Sequence, residues 1–184
     1  MKETGLVVCS IVAKNYISFA RTLAQSFNRH HPDGRIFVLI VDDTAGYVTP
    51  ENEPFGLVTL DELNIEKVKS LAMKYDITEF STSVKPYFLE FLFKEINPDV
   101  LMYLDPDILV TGSLDPLAAR LQDADLILTP HLDSDYPDDG LMPDDSHIMR
   151  SGIFNLGFIG LRNCPNALDF LHWWQVKLYD RCLV

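Results

Sequence analysis

Two carboxylates, Asp105 and Asp107, break the apolar run LMYLDPDILV at residues 101–110. Two like charges this close repel unless one is protonated or a cation joins them. In an extended chain, residues i and i+2 point to the same side, so both carboxylates are expected to face one spot. That spot lies beyond the carboxyl end of a strand, where open α/β sheets bind their ligands. Oxygen ligands without His or Cys beside them suit Mg²⁺ or Mn²⁺. Pro106 has no N–H to donate and marks the place where ladder pairing stops.

The same Asp-x-Asp spacing recurs at Asp123/Asp125 and Asp133/Asp135. The chain carries 27 acidic against 15 basic residues, a net charge of -12, so the bare pattern says little and context decides. Asp123/Asp125 falls between a helix and a strand, and Asp133/Asp135 falls in an acidic loop. Only Asp105/Asp107 follows a buried strand. The plain alternative is two solvated carboxylates in a turn.

The charge balance argues against a nucleic-acid or anionic-membrane partner, because no Lys/Arg run is present to neutralise phosphates. A phosphate ligand stays open, since a divalent cation can bridge carboxylates to it. The three cysteines, Cys9, Cys164 and Cys182, lack metal-ligand spacing and read as free thiols of a reducing compartment. No apolar run approaches the ~20 residues of a membrane span. A cytoplasmic location is therefore expected.

The elements that must position the aspartates follow from periodicity. GLVVCSIVA (5–13), RIFVLIVDD (35–43) and DVLMYLD (99–105) are continuous apolar runs, expected as buried strands. Tyr16, Ala20, Leu23 and Phe27 predict a helix over 16–31, and HPDG (31–34) a turn. FGLVTL predicts a short strand, followed by a weak helix over 62–75 capped by Asp61. Val84, Tyr87, Phe88, Phe91, Leu92 and Ile96 predict an amphipathic helix ending before Pro98. SLDPLAARL suggests a helix capped near Ser113 or Asp115, and DLILTP (125–130) a strand. Residues 131–147 hold six aspartates, two prolines and no Lys or Arg, and read as one long loop, mobile in the free protein. GIFNLGFIGL (152–161) reads as a strand interrupted by Gly157, and residues 165–182 as a helix with no stop signal near Val184.

Taken in order, these segments resemble the GT-A nucleotide-sugar glycosyltransferases, closest to family 8, the retaining family of glycogenin and bacterial lipooligosaccharide galactosyltransferases. KNYISFARTLAQSF resembles the family's opening after the first strand. STSVKPYFLEFLF is similar to the segment that carries a basic residue upstream of the metal motif. VLMYLDPDILV matches the Asp-x-Asp strand, and SGIFNLGFIGLRN resembles the strand lining the sugar site. The resemblance implies a Rossmann-like α/β fold, with a mixed, mostly parallel sheet flanked by helices. It also implies one GT-A domain over 1–184 that lacks its C-terminal part.

The resemblance further implies roles. Asp105 and Asp107 would hold Mn²⁺ or Mg²⁺, with Asp105 also near the ribose. Asn15 and Tyr16 would lie by the uracil, Tyr16 as a stacking platform; the alternative for Tyr16 is the first apolar residue of its helix. Lys85 would reach the donor sugar or phosphate, although its position off the helix's apolar face also suits a surface lysine. Asn155 would bond a sugar hydroxyl, and Gly157 would let substrate approach the backbone. The family's acidic residue near Ala13 or Lys14 is missing here, and its later metal-binding His falls beyond residue 184. His131 either faces the cleft or is a plain loop histidine.

The function implied is transfer of a sugar from a nucleoside-diphosphate donor, expected to be a UDP-sugar, to a saccharide, lipid or protein acceptor. Two alternatives stay open: a non-catalytic or truncated nucleotide-sugar-binding domain, and an aspartyl-nucleophile phosphatase with Asp105 attacking and Asp107 as acid.

Overall fold

The structure is a computed structural model that describes residues 5–43, 46, 48–135, 137, 139–142 and 144–182. Six strands, β1 (Val7–Val12), β2 (Arg35–Ile40), β3 (Gly56–Thr59), β4 (Val100–Leu104), β5 (Leu126–Pro130) and β6 (Phe154–Arg162), form one sheet in the order β3-β2-β1-β4-β6-β5. β1 pairs in parallel with β2 and β4, and β2 with β3, whereas β6 runs antiparallel to β4 and β5. The mostly parallel half explains the continuous apolar runs: every residue of β1 is buried, because a central strand covered on both faces has no polar side.

Alternation along the strands sends side chains into two cores. Cys9, Ile11, Leu101, Tyr103, Ile159 and Leu161 pack on one face against α3 (Ile77–Glu95) and α6 (Pro165–Arg181). Val8, Val12, Val38, Ile40, Met102 and Leu104 pack on the other against α1 (Ile17–His30). Cys9, Cys164 and Cys182 are free thiols, as expected. No described helix is long and apolar enough to cross a membrane.

Several expectations need correction. The helix predicted from Val84 onward begins at Ile77, because Asp76 accepts the N–H groups of Thr78 and Glu79 while Glu79 accepts the Asp76 N–H. The helix expected over 62–75 is shorter. A 3₁₀ turn at Asp61–Leu63 ends at Asn64 in the left-handed region (φ 49°), and α2 (Val68–Lys74) starts after Lys67, so Asp61 is not its cap. β2 stops at Ile40 instead of running to Asp43, although the Val41 N–H still reaches the Val12 carbonyl at 3.0 Å. The short α4 (Asp115–Arg120) lacks a side-chain cap at Leu114, yet the Ser113 hydroxyl accepts the Asp115 N–H at 3.1 Å. The acidic loop is not a loop throughout. Asp144 accepts from Ser146 and His147 and starts α5 (Asp145–Ser151). Asp133, Asp135 and Asp139 are exposed, and Tyr136, Asp138 and Pro143 lie outside the described residues. β6 runs unbroken through Gly157; the irregularity lies in its pairing with β5, between Leu128 and Thr129.

Glu90 ties α3 to α6. Its carboxylate accepts from Gln175 at 2.6 Å and contacts the His172 ring nitrogen at 3.0 Å, with Lys94 paired beside it. Burial pushes the Glu90 carboxyl up, but the bonds from Lys94, Gln175 and His172 outweigh it and hold the group at about 2, below its ordinary 4.5. A carboxyl depressed in the folded state contributes stability above its unfolded value and loses it as pH falls through the folded one. Glu90→Gln is therefore expected to lower the urea midpoint at pH 7. The gap to the parent should narrow as pH drops from 4.5 toward 2. A gap independent of pH in paired urea titrations would remove this role.

Candidate functional site

The site forms where β1 and β4 end. After Val12 the chain enters a 3₁₀ turn, Lys14–Tyr16, closed by the Tyr16 N–H on the Ala13 carbonyl at 2.9 Å. The Lys14 N–H donates to Asp42 Oδ1 at 2.8 Å and holds this turn against the end of β2. Asn15 and Tyr16 are left exposed. Tyr16 is 48% exposed, and its ring stacks on Phe19 with centroids 5.1 Å apart. The first buried residue of the helix is Ile17, so Tyr16, counted in the repeat that predicts the helix, stands outside its buried face.

Asp105 and Asp107 come together by a different geometry from the one the alternation rule implies. β4 ends at Leu104, and the Ile108 N–H bonds the Asp105 carbonyl at 3.1 Å. Pro106 and Asp107 are thus the central residues of a tight turn, where proline's fixed φ suits the first position. Beyond it the chain is pinned to α1 by the Val110 N–H on Ser26 Oγ (3.1 Å) and the Leu114 N–H on His31 Nε2 (2.9 Å). The turn and the β1–α1 connection enclose a cleft of about 280 Å³, lined among others by Asn15, Tyr16, Ser81, Tyr103, Asp105 and Asp107.

Lys85 is buried, at 4% exposure, which corrects the expectation of a residue off the apolar face. α3 lies between the sheet and α6 and is buried on more than one side, including Ser83, Val84, Lys85 and Pro86. The Lys85 ammonium donates to the Leu156 carbonyl at 3.0 Å, sits 3.9 Å from the centre of the Tyr103 ring, and lies 3.8 Å from Asp105 Oδ1. Burial lowers its pKa, and the Asp105 charge pulls the other way.

Tyr103 was not singled out in the sequence. It is 3% exposed, and its hydroxyl donates to Asp105 Oδ1 at 2.7 Å. Burial, with the Asp105 charge behind it, pushes the phenol well above its ordinary range, so it stays a donor. A tyrosine in an aliphatic strand, two residues before an aspartate, was the available signal: its buried hydroxyl needs a partner.

Asn155 lies near the start of β6, where its apolar neighbours are exposed as well, and its Oδ1 accepts the Gly157 N–H at 2.7 Å. Gly157 gives its carbonyl to the Asp105 N–H at 2.8 Å. A Cβ at position 157 would stand 2.8 Å from Asn155 Oδ1 and 3.2 Å from Asp105 Oδ2. Gly157 thus makes room for the Asp105 carboxylate. Contacts therefore join Lys85, Tyr103, Asp105, Asn155 and Gly157, and the cleft wall joins Asn15, Tyr16, Asp105 and Asp107.

The other Asp-x-Asp pairs do different work. Asp125 pairs with Arg162 and accepts from Asn166 at 2.7 Å, and these bonds hold its carboxyl at about 2. It is a clasp between β5, β6 and the start of α6. Asp133 and Asp135 are solvated. His131 Nδ1 contacts the Gly152 carbonyl at 2.8 Å, which fits the loop-histidine alternative. Among the described residues no three His, Cys, Asp or Glu gather to hold a metal ion. Asp105 and Asp107 both line the cleft, and their carboxylate oxygens are hard donors of the kind Mg²⁺ and Mn²⁺ take.

No family model matches the chain. It is 24% identical over 178 residues to the uncharacterized protein YfnF of Bacillus subtilis (strain 168), covering 95% of this chain and 58% of YfnF. It is 27% identical over 179 residues to the uncharacterized protein YfnD of the same strain, covering 95% and 55%. The chain thus spans little more than half the length of these relatives. Among solved structures it is similar to the galactosyltransferase LgtC in complex with donor and acceptor sugar analogs (TM-score 0.62, 17% identity, 97% of this chain and 66% of that one). It is also similar to the glycosyltransferase GlyE of Streptococcus pneumoniae TIGR4 (0.56, 18%, 97% and 39%) and to the bifunctional enzyme WbbM (0.59, 16%, 95% and 34%). The fold is the Rossmann-like GT-A fold.

Proposed function

We propose that this chain is the donor-binding part of a family 8 glycosyltransferase, taking a UDP-sugar with Mn²⁺ or Mg²⁺ at Asp105 and Asp107. The observation that carries the reading is the cleft itself. An exposed aromatic face, Tyr16, and two carboxylates on one turn share a cavity at the carboxyl ends of β1 and β4. The solved neighbours of the same fold are glycosyltransferases, which favours this over the aspartyl phosphatase. Tyr16 would stack on the base with Asn15 beside it. Asp105 would meet the ribose, and Asn155 with Gly157 would face the sugar. The cation, when bound, supplies Lewis-acid stabilisation of the leaving diphosphate. The residues contribute positioning and a fixed electrostatic environment.

The test is thermal denaturation with UDP in Mn²⁺, Mg²⁺ or EDTA. With a net charge of -12, the cleft should accept a diphosphate only through a cation. UDP at a hundredfold excess over Kd stabilises the native state by ~2.7 kcal/mol. The expected result is a rise in melting temperature with either cation and none in EDTA. Equal stabilisation in EDTA would overturn the metal bridge, and no stabilisation under any condition would overturn the reading.

A further inference from the structure

We infer that Tyr103 is a positioning residue that limits Asp105 to one ligating oxygen and thereby favours a small octahedral cation over Ca²⁺. The inference rests on the reading of the cleft as a nucleotide-sugar site. The Asp105 carboxylate is constrained on both oxygens. Oδ1 receives the Tyr103 hydroxyl at 2.7 Å and has the Lys85 ammonium 3.8 Å away. Oδ2 lies over Gly157, so near that a Cβ there would stand 3.2 Å from it. The backbone is fixed as well, by the Asp105 N–H on the Gly157 carbonyl. Tyr103 itself has little freedom, since it is buried in β4 with Lys85 across its ring face.

A short hydrogen bond to an ionised oxygen is strong and directional. It occupies a lone pair of Oδ1 and makes that oxygen a poorer ligand, so that Oδ2 would be the one to meet a cation. One-oxygen carboxylate contacts suit the six-coordinate shells of Mg²⁺ and Mn²⁺. Ca²⁺ takes more oxygens and readily uses both of a carboxylate. Freeing Oδ1 therefore favours Ca²⁺ relative to Mn²⁺.

The experiment is calorimetric titration of UDP in Mn²⁺ and in Ca²⁺, on the parent chain, Tyr103→Phe and Tyr75→Phe. The control also removes a buried hydroxyl: Tyr75 donates to the Leu178 carbonyl at 2.9 Å and accepts the Cys182 N–H at 3.1 Å, outside the cleft lining. Removing an outer-shell partner weakens metal binding by about 10- to 100-fold. Tyr103→Phe is thus expected to weaken Mn²⁺-supported UDP binding by about tenfold or more. Ca²⁺-supported binding should be unchanged or tighter, so the Mn²⁺/Ca²⁺ ratio falls. Tyr75→Phe should lower the melting temperature and leave the ratio alone. An unchanged ratio in Tyr103→Phe, or the same change in both variants, overturns the inference. A parent chain that binds UDP with no cation overturns the underlying functional reading instead. Tyr103→Met, which also lacks the hydroxyl, carries the same expectation should the Phe variant not fold.

Discussion

Asp107→Asn is expected to abolish metal-dependent UDP binding, a loss of at least about 100-fold, without unfolding the protein. Asp107 is exposed and no side-chain hydrogen bond engages it among the described residues, so the fold does not depend on its charge. An amide keeps the shape of the turn and removes half of the protein's charge toward the cation. The metal-free chain should keep its melting temperature or gain slightly, because a repulsion between neighbouring carboxylates is relieved. The gain is small, since Lys85 already stands 3.8 Å from Asp105. Asp125→Asn is the matched control with the opposite pattern. Its carboxylate clasps Arg162 and Asn166, so the melting temperature should fall while UDP affinity stays. Calorimetry in Mn²⁺ and a melting curve for each variant decide it. If both variants act alike on binding, or Asp107→Asn binds UDP with unchanged metal dependence, the aspartates at this turn are not the site.

Much of the architecture was legible because it rests on local signals. The apolar runs of β1, β2 and β4 are largely buried strands, and α1 and α6 repeat at helical spacing. Four of the residues named from the sequence, Asn15, Tyr16, Asp105 and Asp107, line one cleft. What was missed depends on partners distant in sequence or on cap chemistry overlooked in favour of periodicity. The first residues of α3 lack an apolar period, and only the Asp76/Glu79 box announces them. Asp144 announces α5 in the same way inside a stretch whose composition reads as loop. The turn at Pro106 replaced an inference from strand alternation, because β4 ends at Leu104 and the Asp105 N–H on the Gly157 carbonyl is its last bond to β6 before the chain turns. Lys85 looked like a surface residue because helical periodicity counts one apolar stripe, whereas α3 is covered from two sides. Its carbonyl partner is 71 residues away, on a strand no local window contains.

That buried lysine is where the second large effect is expected. Lys85→Met should reduce release of UDP from a UDP-sugar by about a hundredfold, and UDP affinity by less than about tenfold. The ammonium is held from three directions, by the Leu156 carbonyl, the Tyr103 ring and Asp105, so its charge is fixed before any ligand arrives. Such a preorganised charge needs no reorganisation when negative charge builds on a leaving diphosphate. On the proposed reading UDP binding would lean instead on Tyr16 and the carboxylate pair, which the substitution leaves in place. Stability separates the alternatives. Removing one partner of a fully buried ion pair is strongly destabilising, because the other charge is stranded. Here the Asp105 side chain is 41% exposed and keeps its water, and methionine fills much of the lysine's volume. The remaining cost is one unsatisfied carbonyl at Leu156, about 1–3 kcal/mol. Lys85→Arg should not restore turnover, since a guanidinium is broader than the site of a residue only 4% exposed. Rates and affinities measured on both variants distinguish the roles. Turnover within a few-fold of the parent would make Lys85 a structural residue, and a loss of UDP affinity as large as the loss of turnover would make it a binding anchor.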